Sequence, residues 1–288
     1  MPTGAVDPLA PGRRFAGCIV EREIARGAHG RVLAGFDEAA GAWRALKVVS
    51  PQSADGAAAA DDAERRFQQE ARTAARLAHP DLVRVHRAGR EQGIAYLVMD
   101  LLTGCTVERY TRPARRLPVP VVLQLGARVA RALAHAHAHG VIHRDLKPAN
   151  VIVDWAADRL TLTDFGVARD EDAAERTRTG LVLGSPSYMA PELLAGGNAD
   201  AATDVYALGV LLYELLAGER PFDAPGLGEL LRRVAREPAP DLRQAQPALP
   251  AGLAALVAQA LAKQPAQRPP GMAALAAALD TERAALAG

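Results

Sequence analysis

The 288-residue sequence predicts an α+β chain in two unlike parts: a small sheet-rich part over residues 15–102 and a larger, mainly helical part over residues 103–288. Three observations carry this. Short β-type runs separated by turn signals fill the first third, and long stretches of helical periodicity fill the last. Apolar residues make up 49 % of the chain, enough for a sizeable core and too many for a disordered one. Residues 1–14, rich in Pro and Gly, are expected to form a disordered leader.

The first part contains five strand-like runs, "GCIVEREIA", "GRVLAGFD", "WRALKVV", "LVRVHRAG" and "AYLVMDLL". A low-complexity loop and one helix lie between the third and fourth. Asp61 or Asp62 serves as that helix's N-cap, and Pro80 lies beyond its end. In the second part, "VPVVLQLGARVARALAHAHAHG" reads as a long helix stopped at Gly140. A loop and short strands follow to about residue 166, then a polar stretch to about residue 190. Helical patterns resume in "TDVYALGVLLYELLAG", "LGELLRRVARE", "LAALVAQALAK" and "GMAALAAALDTERAALAG". There is no internal repeat.

A net charge of only +1 gives no reason to expect nucleic acid or an anionic membrane as partner. Cys18 and Cys105 have no metal-ligand spacing and read as incidental free thiols in a reducing compartment. No apolar run approaches the roughly 18–20 residues that span a bilayer, and the N-terminus has no apolar signal core. A cytoplasmic chain is therefore expected, although a membrane-anchored parent extending beyond residues 1–288 is compatible with the same reading.

Polar residues concentrate in two loops. "VIHRDLKPANVIV" sets Asp145, Lys147 and Asn150 between a helix end and an apolar strand, and "LTLTDFGVAR" sets Asp164 at the end of the next strand. Loops on a rigid scaffold are where catalytic groups collect. Taken singly, Asp145 is also an ordinary turn former and Asp164 an ordinary strand terminator. In the helix at 61–78, Phe67, Ala71, Ala74 and Leu77 share a face, and Glu70 falls among them. A carboxylate facing inward needs a cation, and Lys47 at the end of "WRALKVV" is the best candidate.

Together these residues resemble the eukaryotic-type protein kinases, in the branch of bacterial Ser/Thr kinases, from about residue 15 to the C-terminus. "RALKVV" is similar to the strand carrying the ATP-anchoring lysine, here Lys47, and Glu70 to its helix partner. "HRDLKPAN" matches the catalytic loop without gaps, "DFG" the metal-binding motif, and "GSPSYMAPE" the end of the activation segment. "TDVYALGVLLYELLAGERPF" resembles the buried helix whose aspartate, here Asp204, supports the catalytic loop. "KQPAQRP" resembles the late motif in which Arg268 pairs with Glu192.

The resemblance implies a bilobal kinase-like fold and Mg-dependent transfer of the ATP γ-phosphoryl group to protein Ser/Thr hydroxyls. Lys47 would contact the α- and β-phosphates, Asp164 and Asn150 would hold Mg²⁺ (Mn²⁺ being the alternative), Asp145 would take the acceptor proton, and Lys147 would neutralise the migrating phosphate. A lysine at position 147 is the Ser/Thr-type signature, and Ser185 stands where the family often has Thr. Met99 resembles the gatekeeper. Asp100 to Leu102 would offer hinge backbone to the adenine, with Val32 and Ala45 above it; all of these read equally as plain sheet core.

The stretch "EIARGAHGRVL" resembles the lid over the phosphates: Ile24 at its base, Gly27 and Gly30 in place of the second and third family glycines, and Ala25 in place of the first. A methyl group there restricts the backbone, so altered nucleotide affinity with retained activity is expected. Arg144 would grip a phosphate on the activation segment, and Thr177 and Thr179 are the expected autophosphorylation sites. By the same resemblance, partners are protein substrates and, through the small lobe, a second copy of the chain.

A pseudokinase acting as a nucleotide sensor or binding module is the alternative; Lys47, Asp145, Asn150 and Asp164, whose loss marks that class, are all present. A small-molecule phosphotransferase is disfavoured by the long 164–192 segment. His135, His137 and His139, two apart on a helix, point about 200° apart from one to the next and read as no metal site. His137 and His143 read as structural.

Overall fold

The structure, a computed structural model, describes residues 7–27, 30–49, 75–164 and 186–286. It divides into two compact units, residues 1–78 with 83–102 and residues 79–82 with 103–288. Residues 61–74 of the expected helix at 61–78, with Glu70 among them, the threonines Thr177 and Thr179, and residues 1–6 of the expected leader lie outside the described residues, and residues 75–78, expected as the helix's last turn, are turn and irregular chain.

The first unit is a six-stranded antiparallel sheet in the order β1-β2-β3-β4-β6-β5. Its strands are β1 (Arg14–Phe15), β2 (Cys18–Gly27), β3 (Gly30–Asp37), β4 (Ala42–Val49), β5 (Val85–Glu91) and β6 (Ile94–Asp100). Alternation along them buries Phe15, Cys18, Val20, Leu33, Leu46, Val48 and Val98 in one core. The two edge strands are tied together by side chains. Arg87 of β5 donates from Nη2 to the Ala16 carbonyl (2.9 Å) and from Nη1 to Asp37 (2.7 Å), and Glu91 accepts the Ala16 N–H at 2.9 Å. Burial alone would raise the Asp37 carboxyl, but Arg87 and the Ala40 amide outweigh it and hold it below its ordinary value.

Residues 7–14 are not a disordered leader: Leu9 joins the sheet core, and Gly12 and Arg13 exchange backbone hydrogen bonds with Val20. The Pro/Gly composition encodes turns that fold back, and the single apolar side chain that anchors them is easily overlooked in so short a stretch.

The second unit is built on α1 (Val119–Ala138), α2 (Ala201–Ala217), α3 (Leu227–Arg236), α4 (Ala251–Ala260) and α5 (Met272–Ala285), with a three-stranded sheet of β7 (Cys105–Thr106), β8 (Val151–Asp154) and β9 (Arg159–Leu162). Helix α2 is buried along nearly its whole circumference and packs on α1, α4 and α5, as its uniformly apolar sequence demands. Its ends are written in the sequence. Asp200 and Thr203 form a reciprocal capping box, and Gly218 closes the helix in the left-handed conformation (φ 82°). Gly126 lets α1 approach closely, since a Cβ there would stand 2.6 Å from Leu212 of α2. Among the described residues, no helix is long and apolar enough to cross a membrane.

Lys263, between α4 and α5, donates to the Val234 carbonyl at 2.6 Å and sits 3.9 Å over the Phe222 ring. Burial, then the neighbouring Arg268, pull its ammonium from an ordinary 10.5 down to about 8. Between these values the unfolded chain binds the proton that the folded chain has lost, so stability rises with pH across that window and falls as pH drops toward 8. Melting of wild type and Lys263→Met from pH 7 to 10 is expected to show the wild type gaining on the variant above about pH 8. A pH-independent difference would refute this.

Candidate active site

In the second unit the site is a loop wrapped around one buried carboxylate. Asp204 of α2 is 1 % exposed and accepts the backbone N–H of His143 (2.8 Å) and of Arg144 (3.0 Å), while His137 of α1 places Nε2 2.7 Å from the same carboxylate. A buried charge is tolerable only when saturated in this way. The loop therefore cannot shift without uncovering it.

His143 supplies the second anchor. Its Nε2 faces the Thr163 carbonyl at 2.9 Å and must carry the hydrogen; its Nδ1 then accepts the Asp145 N–H at 3.2 Å. Burial pulls its pKa down, against the pull of Asp204, which keeps the ring in this neutral tautomer. One imidazole thus ties the Asp145 backbone to the strand end that precedes Asp164. Arg144 (φ 64°) and Asp164 (φ 59°) both adopt the left-handed conformation that non-glycine residues rarely take. Such strain persists where the surroundings over-determine it, and here the Asp204 and His143 bonds do so.

The polar side chains converge within this frame. Lys147 Nζ donates to Asp145 Oδ2 at 2.8 Å, and Asn150 Nδ2 donates to the Asp145 carbonyl at 2.7 Å and to Oδ2 at 3.3 Å. Asn150 in turn accepts the Thr163 N–H through its backbone carbonyl at 2.9 Å. Its amide nitrogen is thus committed to Asp145, and Asn150 itself is buried (4 % exposed). The Asn150 side-chain oxygen and the Asp164 carboxylate are oxygen donors of the hard type that Mg²⁺ takes.

The sheet unit carries a separate group of sequence-derived residues. Ala45 and Met99 form a small apolar cluster with Val83, and Val32, Leu101 and Leu102 pack against it. The register places Val32 opposite Lys47 and Ala45 opposite Met99. Val83 is a member that sequence reasoning misses; it lies just before β5 in a strand-like run with nothing to single it out. Ile24 is 43 % exposed, and Ala25 pairs with Val32 across the β2–β3 hairpin. Gly30 has φ 131°, open to glycine alone, whereas a Cβ on Gly27 would meet nothing within 4 Å. The Gly27 position is therefore free of any steric demand from the described residues.

Far along the chain, Arg268 and Glu192 form the expected pair, bidentate at 2.7 Å in both bonds. The histidine tract differs in part from expectation. His137 serves Asp204, but His135 and His139, four apart and so on one helix face, bring their rings to 4.4 Å, with the His79 ring 5.5 Å from His135. Comparison of neighbours two apart does not reveal such a pairing.

A curled antiparallel sheet unit, a helical unit and a catalytic-type loop on a buried aspartate define a kinase-like fold. Residues 18–279 match the protein kinase domain model, and the chain belongs to that family. It is 38 % identical over 266 residues to the serine/threonine-protein kinase PknJ of Mycobacterium tuberculosis, covering 90 % of this chain and 44 % of PknJ. PknA of the same organism is 38 % identical over 256 residues, covering 86 % of this chain and 57 % of PknA. The chain thus spans about half the length of these bacterial Ser/Thr kinases. The crystal structure of a point-mutant form of the Mycobacterium tuberculosis PknI kinase domain superposes with a TM-score of 0.76 at 35 % identity, over 95 % of this chain and 98 % of that one. Rad53 residues 1–466, in complex with AMP-PNP, share the fold at 20 % identity, with a TM-score of 0.74 over 91 % and 64 % of the two chains.

Proposed function

We propose that the chain transfers the γ-phosphoryl group of ATP to Ser and Thr hydroxyls of proteins, in the presence of Mg²⁺, and phosphorylates itself on Thr177 or Thr179. The observation that carries this reading is the Asp145–Lys147 contact at 2.8 Å, in a loop held by the buried Asp204. Asp145 accepts the hydroxyl proton as the nucleophile attacks, and Lys147, already beside that carboxylate, meets the negative charge of the moving phosphoryl group. Asn150 and Asp164 would hold the metal, which would supply positive charge against the phosphate oxygens. Lys47, with Glu70 as its expected partner, would anchor the α- and β-phosphates, and the cluster of Ala45, Val83 and Met99 would form an apolar wall for the adenine. Ile24, Ala25, Gly27 and Gly30 lie over the phosphates in this reading. A signalling role and pairing with a second copy belong to it as well.

The test is incubation of the purified chain with radiolabelled ATP, Mg²⁺ and a protein acceptor. Label is expected on Ser and Thr of the acceptor and, by mass spectrometry, on Thr177 or Thr179, and chelation of the metal is expected to abolish both. Nucleotide binding with no label on any protein hydroxyl would overturn the reading in favour of a pseudokinase.

A further inference from the structure

Asp100 ends β6, the middle strand of the β4-β6-β5 triplet, and its carboxylate is gripped from both sides. Arg44 of β4 donates from Nη1 to Oδ1 at 2.8 Å, and His86 of β5 places Nε2 2.7 Å from the same oxygen. A carboxylate only accepts, so the imidazole is the donor. Arg44 lies directly opposite Asp100 in the register. His86 reaches it because it is the extra residue of a β-bulge, between the pairs Val85–Met99 and Arg87–Val98. The Asp100 N–H is taken by the Arg84 carbonyl at 3.0 Å, so backbone and side chain are both fixed at this point.

Side chains alternate along a strand. Arg44 and Asp100 are therefore neighbours in sequence, but on the opposite face, of Ala45 and Met99, which form the apolar wall. A shift in the charged rung moves the wall and the strand exit with it. Stability alone is a poor account of the rung. Arg44 Nε is buried without a hydrogen-bond partner among the described residues, a cost that an apolar pair would avoid.

We propose that Arg44 and His86 are positioning residues for the purine edge of the nucleotide site, acting through Asp100. The proposal rests on the ATP reading above. Loss of either donor leaves the carboxylate held from one side only and loosens residues 100–102, which weakens purine binding and spares the chemistry.

Arg44→Met and His86→Gln are each expected to raise the KM for ATP, and the Kd for Mg-AMP-PNP by calorimetry, about three- to tenfold. Together they should raise it by less than the product of the two, because both act on one oxygen. The kcat at saturating ATP and the KM for the protein acceptor should stay within about twofold. Where Arg44→Met fails to fold, Arg44→Lys, which keeps the charge and loses the planar fork, carries the same measurement. Variants that melt earlier but leave the ratio of the two KM values at the wild-type figure overturn the inference, for they reveal a merely structural rung. A wild type that binds no AMP-PNP overturns the ATP reading itself, and is told apart by being measured first.

Discussion

Asp145→Asn is expected to lower phosphoryl transfer by about two to four orders of magnitude while leaving the Kd for Mg-AMP-PNP and the melting temperature close to wild type. The variant is isosteric, and two donors, Lys147 Nζ and Asn150 Nδ2, already point at Oδ2. They will orient the new amide so that its oxygen meets them. Its NH₂ group then occupies the remaining corner, where the incoming hydroxyl needs an acceptor. A donor in that position can neither align the nucleophile nor take its proton. The Asp145 N–H to His143 and the Asn150 bond to the Asp145 carbonyl are backbone contacts and survive, so the loop stays in place. Single-turnover rates with radiolabelled ATP check this. A variant that retains more than about a tenth of wild-type rate would remove Asp145 from the role of base.

Arg268→Lys is expected to destabilise the helical unit by about 3–5 kcal/mol, lowering its melting temperature by roughly 6–20 °C. The Arg268 side chain is wholly buried, and every one of its N–H groups has an acceptor. Nε donates to the Ala262 carbonyl, Nη1 to Glu192 and the Ala202 carbonyl, and Nη2 to Glu192 and the Lys263 carbonyl. The guanidinium also lies 5.0 Å from the centre of the Tyr206 ring. These partners come from the short helix Pro191–Leu194, the start of α2 and Arg268's own loop after α4, so one side chain ties that loop to a region 66–76 residues earlier in the chain. A lysine retains the charge but offers three donors from a single point, and the Glu192 carboxylate is left half-satisfied. Denaturant melts of wild type, Arg268→Lys and Glu192→Gln measure the effect. A loss of under about 1 kcal/mol would show that the pair is replaceable.

The parts of this molecule that are legible in its sequence are those governed by neighbours along the chain. Helix α2 announces itself through continuous apolarity between the Asp200 cap and Gly218. Asp145, Lys147 and Asn150 are legible as a site because all three sit in one six-residue stretch, so no tertiary knowledge is needed to bring them together. Arg268 and Glu192 are 76 residues apart and are legible only through family resemblance; neither shows in its local pattern that it is buried. The Arg44–Asp100–His86 rung is illegible for a different reason. It depends on the β4–β6 register and on a one-residue bulge in β5, and a shift of one position would turn each side chain to the other face. The fold of residues 7–14 escapes the sequence because turn-forming composition looks the same in an ordered wrap and in a loose tail.

That wrap bears on where the folding unit starts. The family match begins at Cys18, yet Leu9, Phe15 and Ala16 belong to the sheet core, and the Phe15 ring meets Tyr96 edge-on at 5.5 Å. Cutting the chain at Cys18 would remove β1 and the Ala16 backbone that Arg87 and Glu91 hold. Strand β2 would then be a bare edge, flanked by a stripped apolar cluster and a guanidinium short of one partner, a combination that invites strand-to-strand association between molecules. Residues 7–17 are in effect the seam that makes an open sheet behave as a self-contained one, and a boundary drawn from sequence similarity alone would cut through it.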